Sequence, residues 1–254
     1  MEIQNFVLLA AGRGSRLAQL TDHTHKSLLP IAGKPVLQYL LDHLMISKKP
    51  DIVVVTGYRS GDINSFLNAR YGSAVKTVFN QLYESDTNIL SVDLGVDALL
   101  SCEEGYMIIE TDIILEPTGW QCLLGPRQSS TSEWATIGKY SANLTGAALK
   151  TDETGRVTDI VYAPQYDKRF DGWKKLLGTL YVGVNEVGLD IALRKKAIQR
   201  SIAQFYLMPW LENINKFPCH ELDLSNYYAA SFNDVDAYKK ADEGYSQAIR
   251  REGE

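Results

Sequence analysis

Short unbroken apolar runs alternate with stretches of helical periodicity through the first half of the chain. Asn5 to Ala10 (NFVLLA) is the pattern of a buried parallel strand, and a glycine-containing loop follows it at once. Pro35 opens a helix behind the chain break at Gly33, with Val36, Leu37, Leu40, Leu41 and Leu44 recurring at helical spacing. Asp51 to Thr56 (DIVVVT) is a second buried strand ended by Gly57, and Ser60 is placed to cap a helix reaching about Tyr71. Val75 to Phe79 is a third strand, and a helix spans Asn88 to Leu100 behind Asp86 and Thr87. Tyr106 to Thr111 (YMIIET) is a fourth strand, ending at Asp112. Strands alternating with helices imply crossover connections and a mostly parallel sheet.

The pattern then changes. Gly146 to Thr151 and Arg156 to Val161 are strand-like and flank Asp152-Glu153-Thr154-Gly155, which reads as a hairpin turn. Gly178 to Val184 is another strand, Leu189 to Asn215 is helical apart from a break near Pro209, and the tail after Asp234 is an amphipathic helix. No internal repeat, low-complexity stretch or linker interrupts this order. The expected fold is α/β: a single Rossmann-like domain over residues 1–254, with a mostly parallel mixed sheet flanked by helices.

A chain of 254 residues, 45% hydrophobic and 22% charged, suits one such domain with a substantial core. The net charge of −5 and pI near 5.5 argue against a nucleic-acid partner, which calls for a basic face. Any phosphate-binding cations must therefore be concentrated locally. MEIQNFVLLAAG carries no signal-peptide pattern, and no apolar run approaches the ~20 residues of a membrane span. Cys102, Cys122 and Cys219 are odd in number and widely spaced, so they read as reduced thiols; the expected location is cytoplasmic, with no membrane partner.

The first candidate chemistry is the loop LAAGRGSRL, from Leu9 through Ala10, Ala11, Gly12, Arg13, Gly14, Ser15 and Arg16. Gly12 and Gly14 free the backbone to turn tightly and present N–H groups to an anion. Arg13, Arg16 and Lys26 gather three positive charges in an otherwise acidic chain, and a triphosphate needs both features. No GxxxxGK[ST] is present, and Leu17 stands where a dinucleotide fingerprint has its third glycine. Solvated loop arginines are the alternative reading of Arg13 and Arg16.

Taken with KSLLPIAGKPVLQYLLDHL, the loop resembles the nucleotidyltransferase superfamily that includes sugar-phosphate nucleotidyltransferases and bacterial-type phosphocholine cytidylyltransferases. The resemblance implies a nucleotide-binding half over about residues 1–115 and an acceptor-binding half over about residues 116–254. By it, Gly12, Arg13, Gly14 and Arg16 wrap the triphosphate, and Lys26 contacts phosphates of donor or acceptor. Two positions depart from the family pattern: His25 replaces a proline before the lysine, and Ser27 follows it. NQLYESDTNILSVDLGVDAL resembles the choline-type branch, which puts Asn88 near the base or the acceptor. A residue just inside a helix capped by Asp86 or Thr87 is the other reading of Asn88.

The resemblance also implies Mg²⁺, held by Asp112 at the end of the fourth strand, where ligands of open parallel sheets collect. Here Thr111-Asp112 stands for the family's usual Gly-Asp. SFNDVDAYKKA places Asn233 on the second ligand position, with Asp234 as the neighbour in the slipped register or as the cap of the last helix. Glu133 and Trp134 resemble the Glu-Trp of choline-type members, and Tyr181 falls on the strand that lines the acceptor site. Core packing competes with that reading of both aromatics. Lys139 is open between an acceptor contact and solvent. His23, His25, His43 and His220 form no triad or zinc spacing, and His43 reads as a helix-surface residue.

The function these features point to is Mg²⁺-dependent transfer of a nucleotidyl group from an NTP to a small phosphorylated or phosphonylated acceptor. CTP with phosphocholine or 2-aminoethylphosphonate leads. A hexose-1-phosphate nucleotidyltransferase and a non-catalytic nucleotide-binding regulatory domain are the rivals. Nothing in the pattern bears on oligomeric state.

Overall fold

In the computed structural model, which describes residues 2–127 and 130–252, the first apolar run is strand β1 (Asn5–Ala10), buried along its whole length. 3-10 turns over Ser15–Thr21 and Lys26–Leu28 lead to a small ribbon, β2 (Pro30–Ile31) with β3 (Lys34–Pro35), and then to helix α1 (Val36–Leu44). β4 (Asp51–Thr56), α2 (Ser60–Tyr71), β5 (Val75–Phe79), α3 (Ile89–Asp97) and β6 (Tyr106–Glu110) complete the alternating half. β7 (Ile113–Leu115), α4 (Pro117–Leu124), β8 (Glu133–Lys139), the hairpin β9 (Gly146–Thr151) and β10 (Val157–Ala163), and β11 (Lys174–Val182) follow. The chain closes with α5 (Val187–Arg200), α6 (Met208–Glu212), β12 (His220–Asp223), β13 (Ala229–Ser231) and α7 (Val235–Glu252).

β1 lies between β4 and β6 in parallel register, Phe6 opposite both Ile52 and Met107, and β5 extends this half beyond β4. β11 joins the second half to it. Thr179–Val182 pair antiparallel with β6, Lys174 and Lys175 pair with β9, and β8 runs along the strand with β12 parallel beyond it. Successive strand residues face opposite sides, so Phe6, Leu8 and Ala10 enter one core with α1 and α7. Val7 and Leu9 enter a second core with α3, α5 and α6. Beneath that second core the buried Arg194 pairs with Asp190 and Asp93 and donates to the Tyr106 hydroxyl at 3.1 Å, while Trp210 Nε1 donates to Asp190 at 2.7 Å. This network fixes α5 on β6, α3 and α6. No helix among the described residues is long and apolar enough to cross a membrane.

The mixed α/β sheet is parallel through its first half, as the alternation predicts, and the hairpin turn falls at Asp152–Gly155. Several local expectations are corrected. Ser60 does not cap α2: Arg59 holds the cap position with φ of 50°, and its side chain pairs with Asp62. β11 begins at Lys174, four residues before Gly178, whose φ of 89° marks an irregularity inside the strand. The long helix breaks after Arg200, not at Pro209; that proline sits in the first turn of α6, where its missing N–H has no intrahelical acceptor to lose. His43 is half-buried and stacks on Trp120, ring centroids 5.3 Å apart, so it is a packing residue and not a surface one.

Candidate active site

The carboxyl ends of β1 and β6 open into a cleft of about 480 Å³, and the glycine loop forms one lip. Gly14 has φ of 66°, and a β-carbon there would stand 3.1 Å from Lys26 Cδ. The loop is thus folded against the Lys26 stem, where only glycine fits. His25, fully buried, fastens the two segments. Its Nδ1 accepts from the Ser27 backbone N–H at 3.2 Å, which leaves Nε2–H to donate to the Gly12 carbonyl at 3.1 Å. Burial first, and then the neighbouring Lys26 charge, push the His25 imidazole down to about 4, so it is neutral in this role.

Lys26 reaches across the cleft floor to Asp112, Nζ to Oδ2 at 2.8 Å. Asp112 lies with Thr111 in the turn between β6 and β7, and the Thr111 hydroxyl ties that turn to β1 by donating to the Leu9 carbonyl at 2.8 Å. The Phe232 amide donates to the Asp112 carbonyl, bringing the segment ahead of α7 onto the same floor, so Asn233 lines the cleft. Asp112 Oδ1 is buried and has no hydrogen-bond partner. A hard divalent cation fits such an oxygen, and Asp112 with the Asn233 amide oxygen is a donor set suited to Mg²⁺. Asp234, the competing candidate, accepts from the Ala237 amide at 2.8 Å and caps α7.

The cleft brings together Leu9, Ala11, Gly12, Arg16, Lys26, Asn88, Asp112, Trp134 and Asn233 from the expected site. Asn88 Oδ1 accepts from the Tyr206 amide at 2.8 Å, which ties the α5–α6 loop to the start of α3. Capping of α3 falls to Asp86, which accepts from the Leu90 and Ser91 amides at 3.1 and 2.8 Å. Ala10 belongs to the core, Ser15 opens the 3-10 turn, and Arg13 stands outside the cleft over the Tyr58 ring, 5.4 Å from its centroid.

The acceptor cage expected from Glu133 and Trp134 is not formed by that pair. They are neighbours on β8, so their side chains leave opposite faces of the sheet. Glu133 pairs with Arg127 at 2.6 Å, and Tyr181 stacks under the same arginine, 5.6 Å from ring centroid to Cζ. Neither Glu133 nor Tyr181 lines the cleft; the cation over Tyr181 is the protein's own. Trp134 lines the cleft but is 1% exposed and packs on Tyr206 and Trp210, and its buried indole N–H has no hydrogen-bond partner. Lys139 is exposed at the far end of β8.

The wall instead carries residues that sequence reasoning missed. Glu110 and Lys175 line it, with Tyr162, Phe205 and Tyr206. Tyr162 and Phe205 lie 4.5 Å apart between ring centroids. Burial, reinforced by repulsion from Asp112, pushes the Glu110 carboxyl up to about 7, against the pull of Lys26 and Lys175. Gly178 makes room for it: a β-carbon there would be 2.8 Å from Glu110 Oε2. A signal was available in both cases, since Glu110 interrupts the apolar run YMIIETD and Lys175 the run KKLLGTLYV.

An open α/β sheet whose glycine loop, lysine and strand-end aspartate converge at its carboxyl edge defines a nucleotide-binding protein of the Rossmann-like class. Within that class, residues 5–170 match the family model described as Nucleotidyl transferase, and the chain belongs to that family. It is 30% identical over 155 residues to the choline-phosphate cytidylyltransferase of Haemophilus influenzae, across 58% of this chain and 62% of that protein. It is 30% identical over 160 residues to the 2-aminoethylphosphonate cytidylyltransferase of Lancefieldella rimae, across 63% of this chain and 61% of that protein. The chain therefore spans less than two thirds of the length of these relatives. Among solved structures, the CTP:phosphocholine cytidylyltransferase of Streptococcus pneumoniae shares the fold with a TM-score of 0.80, covering 96% of this chain and 99% of that one at 21% identity.

Proposed function

We propose that this protein transfers a cytidylyl group from CTP to a small phosphate or phosphonate that bears a positively charged amine, releasing pyrophosphate. The observation that carries the reading is Asp112, with one oxygen clasped by Lys26 and the other buried without a donor beneath the glycine loop. A buried acceptor left unpaired costs roughly 1–3 kcal/mol, and more when charged. Asp112 and Asn233 would hold Mg²⁺, which supplies charge neutralisation on the phosphates when bound.

An acceptor oxygen, already ionised at neutral pH, attacks the α-phosphorus in line. The bond from that phosphorus to the α–β bridging oxygen breaks, and its electron pair leaves with pyrophosphate. No strong general base is needed. Arg16 and Lys26 offset the charge that spreads over the phosphates, and the Gly12 backbone, held by His25, orients the loop.

The cytidine and amine parts of the reading draw support from two sources. The relatives at 30% identity carry cytidylyltransferase names with choline-phosphate and 2-aminoethylphosphonate as acceptors. Tyr162, Phe205 and Tyr206 line the cleft with Glu110, and aromatic rings with a carboxylate are the residue types that pair with an ammonium group. Pyrophosphate release measured across a matrix of CTP, UTP, ATP and GTP with phosphocholine, 2-aminoethylphosphonate and glucose 1-phosphate tests it. Preference for glucose 1-phosphate over every cationic acceptor would replace this reading with nucleotide-sugar synthesis.

A further inference from the structure

Lys175 is a cation in the cleft wall that forms no salt bridge among the described residues. Its side chain belongs to β11, and the residue is only 9% exposed. The Nζ donates to the Leu176 carbonyl at 2.6 Å, and among the described residues no carboxylate pairs with it. An ammonium has three donors, so two remain for the cavity that Lys175 lines. Gly146, at φ of 111°, lies beside Lys175, and a β-carbon there would be in ordinary contact with Nζ at 3.5 Å. Glu110 and Asp112 act on the ammonium only from a distance. Burial outweighs them and holds Lys175 below the ordinary lysine range.

Burying an unpaired ammonium is strongly unfavourable, and an apolar side chain of similar length would fill the same volume without that cost. A doubly charged anion entering from the cavity removes the penalty and meets two free donors. In the transfer reading the triphosphate takes Arg16 and Lys26, which line the same cleft, and Lys26 is engaged with Asp112.

We infer that Lys175 grips the phosphate or phosphonate of the acceptor and holds its oxygen for attack. This rests on the transfer reading above. In that step the held oxygen bonds to the α-phosphorus as the bridging bond breaks and pyrophosphate departs; Lys175 keeps its proton and contributes charge and position. Glu110 lines the same cavity, and an ammonium entering beside it would favour its carboxylate form, opposite in sign to Lys175. The pair complements a small zwitterion, an ammonium joined to a phosphoryl or phosphonyl dianion by a short chain.

The test is equilibrium binding, because it needs no turnover. Wild type, Lys175→Met and Lys175→Arg are titrated with 2-aminoethylphosphonate, with methylphosphonate as an amine-free probe, and with a non-hydrolysable CTP analogue plus Mg²⁺. Lys175→Met should weaken both phosphonates on the order of ten- to a hundredfold, the scale of a charge-assisted hydrogen bond. It should leave the CTP analogue within twofold and the melting temperature unchanged or higher, and Lys175→Arg should recover part of the phosphonate affinity. Unchanged phosphonate binding in Lys175→Met overturns the inference. So does parallel loss of nucleotide, phosphonate and melting temperature, which would make Lys175 a structural partner of Glu110. If wild type binds methylphosphonate through Lys175 but turns over no cationic acceptor, the cytidylyl reading falls and the anion site stands.

Discussion

Replacing Gly178 by alanine tests how the cleft wall around Glu110 is built. Gly178 has φ of 89°, and a β-carbon there would lie 2.8 Å from Glu110 Oε2, 3.1 Å from its Cδ and 3.3 Å from its Cβ. Two costs follow. An L-residue forced to positive φ loses roughly 1–2 kcal/mol. Overpacking against a side chain that must swing away adds about 1–3 kcal/mol. Urea unfolding of Gly178→Ala should therefore show a loss of about 2–5 kcal/mol at an unchanged m-value. The displaced carboxyl should also raise the KM for a cationic acceptor while the KM for CTP holds. The double variant Gly178→Ala/Glu110→Ala separates the two costs, because it removes the two nearest atoms, Oε2 and Cδ, and keeps only the 3.3 Å contact with the β-carbon. It should regain the overpacking share, about 1–3 kcal/mol, and keep the backbone strain. A single variant as stable as wild type, or a double variant with no recovery, refutes the claim that Gly178 exists to admit Glu110.

Two further outcomes follow from the loop and the floor. His25 is held down to about 4 from 6.5, so between those values the unfolded chain binds the extra proton and stability is lost as pH falls through the window; Glu110, raised from 4.5 to about 7, works in the opposite direction over an overlapping range. The His25 share, about 3 kcal/mol, must be read as the difference between wild type and His25→Gln in urea unfolding from pH 7 to 4, and parallel pH profiles would contradict it. Asp234→Ala should cost about 1 kcal/mol of stability with turnover largely kept, since Asp234 caps α7. Asn233→Ala should do the reverse and raise the Mg²⁺ concentration required; the opposite pattern would move the ligand role to Asp234.

The glycine-loop lip of the cleft was legible because it is local. NFVLLA, the glycines after it and the clustered cations are consecutive or nearly so, and β1 and its loop follow from them. The aspartate closing YMIIETD was equally plain, because a strand end in an open parallel sheet is a defined place. The wall around Glu110 and Lys175 was obscure for the opposite reason. Glu133 and Trp134 are adjacent in the chain, but a strand sends neighbours to opposite faces, so sequence adjacency argued for a cage that geometry forbids. The wall residues come from β6, β10, β11 and the loop before α6, which no local pattern unites. His25 was read only as a departure from a family proline. Its hydrogen bond to a carbonyl 13 residues earlier is invisible to periodicity.

The measurement that bears most directly on the central claim is ³¹P NMR of the purified protein with CTP, 2-aminoethylphosphonate or phosphocholine, and Mg²⁺. Equal amounts of pyrophosphate and of a mixed anhydride of CMP with the acceptor should appear together. EDTA should stop both, and Asp112→Asn, Arg16→Ala and Lys26→Ala should each slow both by on the order of 10²–10³ while the fold is retained. Pyrophosphate and product formed at the wild-type rate in EDTA, or by the Asp112→Asn protein, would contradict the account of the cleft floor.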